Sequence, residues 1–193
     1  MEKIYFLNTK KVVITGAPGT GKTSLINRLE DKGFYCFHEI IRDMTSKARN
    51  NIKSDVVGSN PLVFVKDARQ FNKDLLYART QHFKKSLDLD IAISFFDRGI
   101  PDVLAYMDFF GQDYNEDFIA ACENNRYDEI YIVPPWKEIY VSDNERLESF
   151  DEAEEIHEVL MGTYTRFGYK PITVPKNTVE ERISFVLSTL NPI

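Results

Sequence analysis

At 193 residues, with 43% hydrophobic and 13% aromatic content, the chain is long enough to bury a substantial core, and its length fits one compact domain better than two. A formal net charge of -6 and a sequence pI of about 5.2 exclude a global positive field for duplex nucleic acid, while leaving room for a local basic pocket. No apolar run reaches about 18 residues and none resembles a secretion leader, so the expectation is one domain over 1–193, no transmembrane segment and a cytoplasmic location.

In chain order, Lys11 to Thr15 reads as a buried strand that runs into a glycine-rich loop, followed by a helix with Leu25, Ile26 and Leu29 on one side and a stop near Gly33. Four more short apolar runs follow: Phe34 to His38, Ile91 to Phe96, Glu129 to Val133 and Lys170 to Val174. Near-continuous apolar runs separated by helical patterns predict parallel strands covered on both faces. Asn60-Pro61 is a start signal for a long helix continuing towards Leu87. Ser142/Glu145, Ser149/Glu152 and Thr178/Glu181 each match a capping box, marking three helix beginnings near the C-terminal end. In the last of these, Val179, Ile183, Val186, Leu187 and Leu190 recur at helical spacing as a core stripe. Strands alternating with helices predict a doubly wound α/β fold, in which ligands bind beyond the carboxyl ends of the strands. Cys36 and Cys122 lack metal or disulfide spacing and read as free buried thiols. His38, His82 and His157 occur singly and are assigned to no metal.

Gly16-Ala17-Pro18-Gly19-Thr20-Gly21-Lys22-Thr23 matches the Walker A pattern and lies between a predicted strand and a predicted helix, the context that pattern requires. Its glycines let the backbone approach a polyanion with several N–H groups turned inward, and the helix start adds its positive dipole end. The loop therefore predicts binding of a nucleoside triphosphate, with Lys22 on the outer phosphates, Thr23 as a Mg²⁺ ligand and Ser24 as a further hydroxyl contact. The other strand ends supply further candidates. Glu39 is either a general base or hydroxyl-positioning group on the acceptor side, or a surface carboxylate opening the next helix; Arg42 either clamps an anionic acceptor or pairs with Glu39. Asp97 stands where a second Mg²⁺ ligand is needed, and Arg98 is either a phosphate contact or the partner of Asp97 in a structural ion pair. Asp102 reads as a helix-start acid only. Arg146 either neutralises charge from a closing lid or belongs to a charged helix surface. Trp136 is a packing anchor or an aromatic shelf, and Pro175-Lys176 lies where a nucleotide base would rest.

Taken together, GAPGTGKT, HEIIRD, FFDRG, PPWKEIYVSDNER and ITVPKNTVEERI resemble the small AAA-type P-loop ATPases grouped with the nicotinamide-riboside kinase portion of bacterial NAD-metabolism proteins. That wider family is also similar to a eukaryotic GTP- and phosphoinositide-binding trafficking module. The resemblance covers nearly the whole chain. It implies a five-stranded parallel sheet flanked by helices, a helical acceptor-side segment at 43–88 and a lid at 136–162. Glu39, Asp97, Arg98 and Arg146 then match kinase roles, whereas Thr45 to Asn60 carries no nucleoside signature. The leading expectation is ATP-dependent phosphoryl transfer to a small hydroxyl-bearing, nucleoside-like acceptor. The alternative is a nucleotide-dependent switch that engages a protein or phosphoinositide; a kinase of polynucleotide ends is a third. Asn72-Lys73-Asp74-Leu75 lacks the spacing of a guanine-reading motif, which favours adenine.

Overall fold

The computed structural model describes residues 9–41, 67–140 and 149–190. Five strands, β1 (Lys10–Gly16), β2 (Tyr35–Phe37), β3 (Ile93–Asp97), β4 (Glu129–Val133) and β5 (Ile172–Thr173), form one sheet in the order β2-β3-β1-β4-β5. Every pairing is parallel. The helices are α1 (Lys22–Asp31), α2 (Ala68–Leu87), α3 (Pro101–Phe109), α4 (Glu116–Asn124), α5 (Phe150–Arg166) and α6 (Val179–Thr189). This is the P-loop NTPase type of α/β fold read from the sequence.

The near-continuous apolar strands serve two cores at once because successive side chains leave opposite faces of a strand. Val12 and Ile14 of β1 join Leu25, Ile26, Leu29, Phe95, Ile183 and Val186 on the α1 and α6 side. Val13 joins Phe96, Ile130 and Ile132, with Phe37 and the side chains of α2 to α5, on the other. With β1 central, between β3 and β4, the loop that follows it emerges at the middle of the carboxyl edge. Asp97 closes β3 directly across from Ile14, so the tips of the two strands are neighbours.

Ser149 and Thr178 both form complete capping boxes, with Glu152 and Glu181 as partners. The Ser142 box and the Asn60-Pro61 signal lie outside the described residues. One continuous helix from Asn60 to Leu87 is not what forms, however: Asp67 is extended (φ -135, ψ 93), and its carboxylate accepts from Gln70 N to cap α2 at Ala68. An Asx cap offers the first-turn amides a local acceptor and so starts a helix where periodicity alone would run through.

The 136–162 stretch divides. Residues 150–162 belong to α5, whose Ala153, Ile156 and Leu160 are buried in the larger core. Residues 141–148 of that stretch lie outside the described residues. Cys36 is half-buried and Cys122 buried; both are free, with burial pushing each thiol up to about 12. Among the described residues no helix is long and apolar enough to cross a membrane.

A core helix and a lid respond differently to truncation. Leu160→Ala is expected to lower unfolding free energy by about 2–5 kcal/mol, read from urea denaturation. A change within about 0.5 kcal/mol, as at surface positions, would contradict a core role for α5.

Candidate active site at the carboxyl edge of the sheet

The loop after β1 is shaped by close approach. Gly16 (φ 151) has no room for a side chain, since a Cβ there would come 2.4 Å from the Val133 carbonyl oxygen on β4. Gly21 (φ 87) occupies the N-cap of α1 in the left-handed region, which glycine enters without steric cost. Its lack of a side chain leaves the first-turn amides of α1 without the carboxylate or hydroxyl caps seen on α2, α5 and α6. Thr20 turns inward and donates from Oγ1 to Ala17 O (2.9 Å). Lys22 is buried within the same loop, its Nζ donating to Ala17 O (2.6 Å) and lying 3.4 Å from Thr20 Oγ1. Burial and the nearby Arg98 charge bring the Lys22 ammonium down to about 7, despite the opposing pull of Asp97, Glu39 and Asp102. Pro18, Gly19 and Thr23 are half-buried, whereas Ser24 is exposed.

The second strand end is not a surface. Glu39 has a side chain only 14% exposed, and its Oε1 accepts from Arg79 Nη2 (3.2 Å) while its Oε2 pairs closely with Arg98 Nε. Oε1 also accepts from Ile41 N (3.3 Å), so the helix-opening role coexists with the buried pairing. Burial alone would raise the Glu39 carboxyl; the Arg79 and Arg98 guanidiniums outweigh it and hold the group below the usual carboxylate range. Arg98 Nη1 donates to Gly16 O (3.2 Å) and to Asp102 Oδ1 (3.3 Å). One guanidinium thus joins the first residue of the phosphate loop to the carboxylate on the far side of the cleft. Its backbone is left-handed (φ 74), alone in this among the described non-glycine residues.

Asp97 and Arg98 do not pair with each other: the ion pairs of Arg98 run to Glu39 and Asp102. The Asp97 carboxylate is buried, and Oδ1 accepts no hydrogen bond from the described residues. Burial and the neighbouring Glu39 charge push its carboxyl up from the usual range. An orphaned buried carboxylate oxygen at the end of the strand beside β1 has the donor chemistry that Mg²⁺ takes. Pro175 and Lys176 follow β5 at an exposed position. Arg42 and Arg146 lie outside the described residues.

Three charged residues enter the site without having been assigned to it from sequence. Arg79 of α2 donates to Gly99 O (3.0 Å) and Glu39. Arg182 of α6 donates to Thr20 O (3.1 Å) and stacks over Trp136, with its guanidinium carbon 5.1 Å from the ring centroid. Trp136 is therefore a packing partner for that arginine. Both arginines had a sequence signal. Phe71, Leu75, Arg79 and Phe83 recur every four residues, and Arg182 sits one position before Ile183 within the α6 apolar stripe. A charge on an apolar stripe demands a buried partner. The third residue is Asp102, which is fully buried and receives Thr15 Oγ1 (2.5 Å), Tyr164 OH (2.5 Å) and Gly99 N (2.9 Å). Asp102 is the first-turn acid of α3, as read from the sequence, but that role alone is incomplete, because the same carboxylate is buried and joins Thr15, Tyr164 and Arg98.

A five-stranded parallel sheet with a Walker A loop at its centre is the P-loop NTPase fold. The chain belongs to the family described as AAA domain, whose model matches residues 11–182. Among solved structures it is similar to NadR in complex with NR (TM-score 0.70, 21% identity), over 93% of this chain and 51% of that one. It is similar also to deoxyadenosine kinase from M. mycoides with the products dCMP and a flexible dCDP bound (TM-score 0.62, 16% identity, 92% and 97% of the two chains). Thymidylate kinase from Ehrlichia chaffeensis superposes over 95% and 100% (TM-score 0.62, 14% identity). At these identities the likeness is one of fold. No curated protein matches the sequence.

The Lys22 ammonium makes apo stability depend on pH. An unfolded chain holds that proton up to 10.5 and the folded one only to about 7. Between those values the unfolded state binds more protons, so this group makes stability rise with pH, having cost the most below about 7. Thermal unfolding of nucleotide-free protein from pH 6 to 10 should show that rise, and Lys22→Met should flatten it. Parallel profiles for the two proteins would refute the linkage.

Proposed function

We propose that the protein is an ATP-dependent phosphotransferase that moves the γ-phosphoryl group to a hydroxyl of a small nucleoside-like acceptor. The observation that carries this reading is the Gly16–Arg98–Glu39 connection, which ties the phosphate loop to a buried carboxylate across the cleft. Binding of triphosphate alone does not require such a carboxylate, whereas orienting a second substrate does. Support also comes from the solved structures of similar fold, named as deoxyadenosine kinase, thymidylate kinase and NadR with NR.

In this reading the inward amides of Gly16 to Thr23 cradle the phosphates. Lys22 leaves Ala17 O for the outer phosphate oxygens, regaining a full positive charge there. Mg²⁺ would be held by Thr23 and Asp97, and when bound it neutralises charge on the phosphate oxygens. The acceptor oxygen attacks the γ-phosphorus as the bond to the bridging oxygen of ADP breaks, and the hydroxyl proton passes late in the transfer to Glu39 and then to solvent. Glu39, held below the usual carboxylate range, stays ionised at neutral pH and accepts a hydrogen bond from the attacking hydroxyl. Its depressed basicity suits orientation more than early proton removal, which a loose phosphoryl-transfer transition state does not need. Arg98 faces the developing charge from the loop side, Arg146 is assigned the lid contact, and Arg42 a contact to the acceptor. Pro175 and the Trp136–Arg182 stack flank the base of the donor nucleotide.

Single-turnover transfer from γ-labelled ATP across a panel of nucleosides and vitamins is expected to yield one labelled acceptor; release of inorganic phosphate alone would contradict the proposal. Lys22→Ala should abolish measurable triphosphate binding in calorimetry. Unchanged affinity in that variant would remove the loop from the account. Glu39→Gln should leave the ATP affinity in place and lower kcat roughly 10²-fold, the cost of a misplaced acceptor. Parallel titrations with ATP and GTP should favour ATP, and a clear GTP preference would move the assignment to a nucleotide switch.

A further inference from the structure

The proposed reaction uses Glu39 and Arg98 but leaves unexplained a fully buried carboxylate beside them. Asp102 collects donors from four separate places: Thr15 at the end of β1, Gly99 N in the turn after β3, Tyr164 on α5, and the Arg98 guanidinium. Burial opposes its charge. The Arg79 and Arg98 guanidiniums and the hydrogen bonds from Thr15 and Tyr164 outweigh that cost and keep the carboxyl below its ordinary range.

Resting on the phosphotransferase reading above, we propose that Asp102 is a positioning residue, one that holds Arg98 between the phosphate loop and Glu39 and so sets the distance between donor and acceptor sites. The first argument is geometric. Arg98 Nη1 is shared between Gly16 O and Asp102 Oδ1, while Thr15, the residue before Gly16, donates to the same Oδ1. Asp102 therefore grips the loop stem and the guanidinium together. The second argument concerns the backbone. Arginine at φ 74 needs surroundings that over-determine it, and the turn is fixed from both sides: Arg98 N donates to Ile14 O (3.1 Å) and Gly99 N to Asp102 Oδ2 (2.9 Å). A Cβ at Gly99 would meet Tyr164 OH at 2.5 Å, so the hydroxyl that donates to Asp102 also closes the space over this turn.

The third argument is chemical. Two of the groups around Asp102, the Gly99 amide and the Arg98 guanidinium, can only donate, and the two hydroxyls complete a shell that an acceptor-only side chain satisfies. Asn would turn an NH₂ towards at least one of these groups. The carboxylate also supplies Arg98 with an ion-pair partner besides Glu39. Removing it leaves Arg98 to lean wholly on Glu39 and lets the pair drift from Gly16.

The test combines kinetics with a direct view of the guanidinium. In the native protein, ¹⁵N–¹H spectra should show a slowly exchanging Arg98 Nε–H, identified by its absence in Arg98→Lys. Asp102→Asn should speed that exchange at least tenfold and lower single-turnover transfer at saturating ATP and acceptor about a hundredfold, with the MgATP Kd changed less than threefold. Tyr164→Phe keeps the charge and removes one donor, so it should produce a smaller version of both changes; it carries the test if Asp102→Asn does not fold. Slow exchange and native transfer in whichever of these variants folds would overturn the proposal, as would loss of thermal stability with transfer per folded molecule preserved. If the native protein transfers phosphate to no acceptor, the kinase reading fails, while the Nε–H exchange still decides whether Asp102 positions Arg98.

Discussion

Four buried charged side chains, Lys22, Arg79, Asp97 and Asp102, meet the largely buried Glu39 and Arg98 at the carboxyl edge of the sheet, and the mutual compensation of these six is the constraint that the site depends on. Three are cationic and three anionic. Any one alone in such surroundings would be neutralised or would cost several kcal/mol. The compensation is uneven, and the unevenness is informative. Glu39, Arg79, Arg98 and Asp102 are joined by ion pairs and hydrogen bonds, and both carboxyls are held below their ordinary range. Lys22 and Asp97 are the strained members: the ammonium is brought down to about 7, and the carboxyl is pushed up with one oxygen left without a hydrogen bond. Under the proposed function these are the two groups that a metal-bound triphosphate would satisfy. The four paired residues then act as the frame in which that happens.

The fold makes this arrangement affordable by surrounding it with two cores. β1 sends alternate side chains to opposite faces and ends in the phosphate loop, so the backbone beneath the site is locked by packing from both sides. The close approach of Gly16 to Val133 O and of Gly99 to Tyr164 leaves little freedom in the two turns that carry Lys22 and Arg98. α5 contributes Tyr164 to the buried network and Leu160 to the core, joining the segment after β4 to the turn after β3. Arg182 plays a comparable part on the opposite face, holding Thr20 O from α6.

Local sequence signals were sufficient wherever short-range chemistry is decisive. The Walker A spacing, the five apolar runs and the boxes at Ser149 and Thr178 all found their predicted elements, with β4 matching at both ends and the other strand ends displaced by one or two residues. The ends moved because ladder pairing, set by neighbouring strands, decides where a strand stops. The long helix expected from Asn60 failed at Asp67 because an Asx cap competes locally with helix continuation. Within the stretch 136–162, an acidic helix surface seen without its neighbours hides the buried stripe of Ala153, Ile156 and Leu160.

What the linear sequence determined by itself was the strand-loop-helix unit and its anion-binding backbone, since glycine geometry and a helix start act over eight consecutive residues. Only the tertiary structure decided that Arg98 turns from Asp97 to Glu39, that Arg79 completes the clamp 40 residues from Glu39 in sequence, and that Asp102 belongs to the core of the site. Charge pairing of this kind is set by distance in space and by burial, and neither is encoded in the spacing of residues along one chain segment.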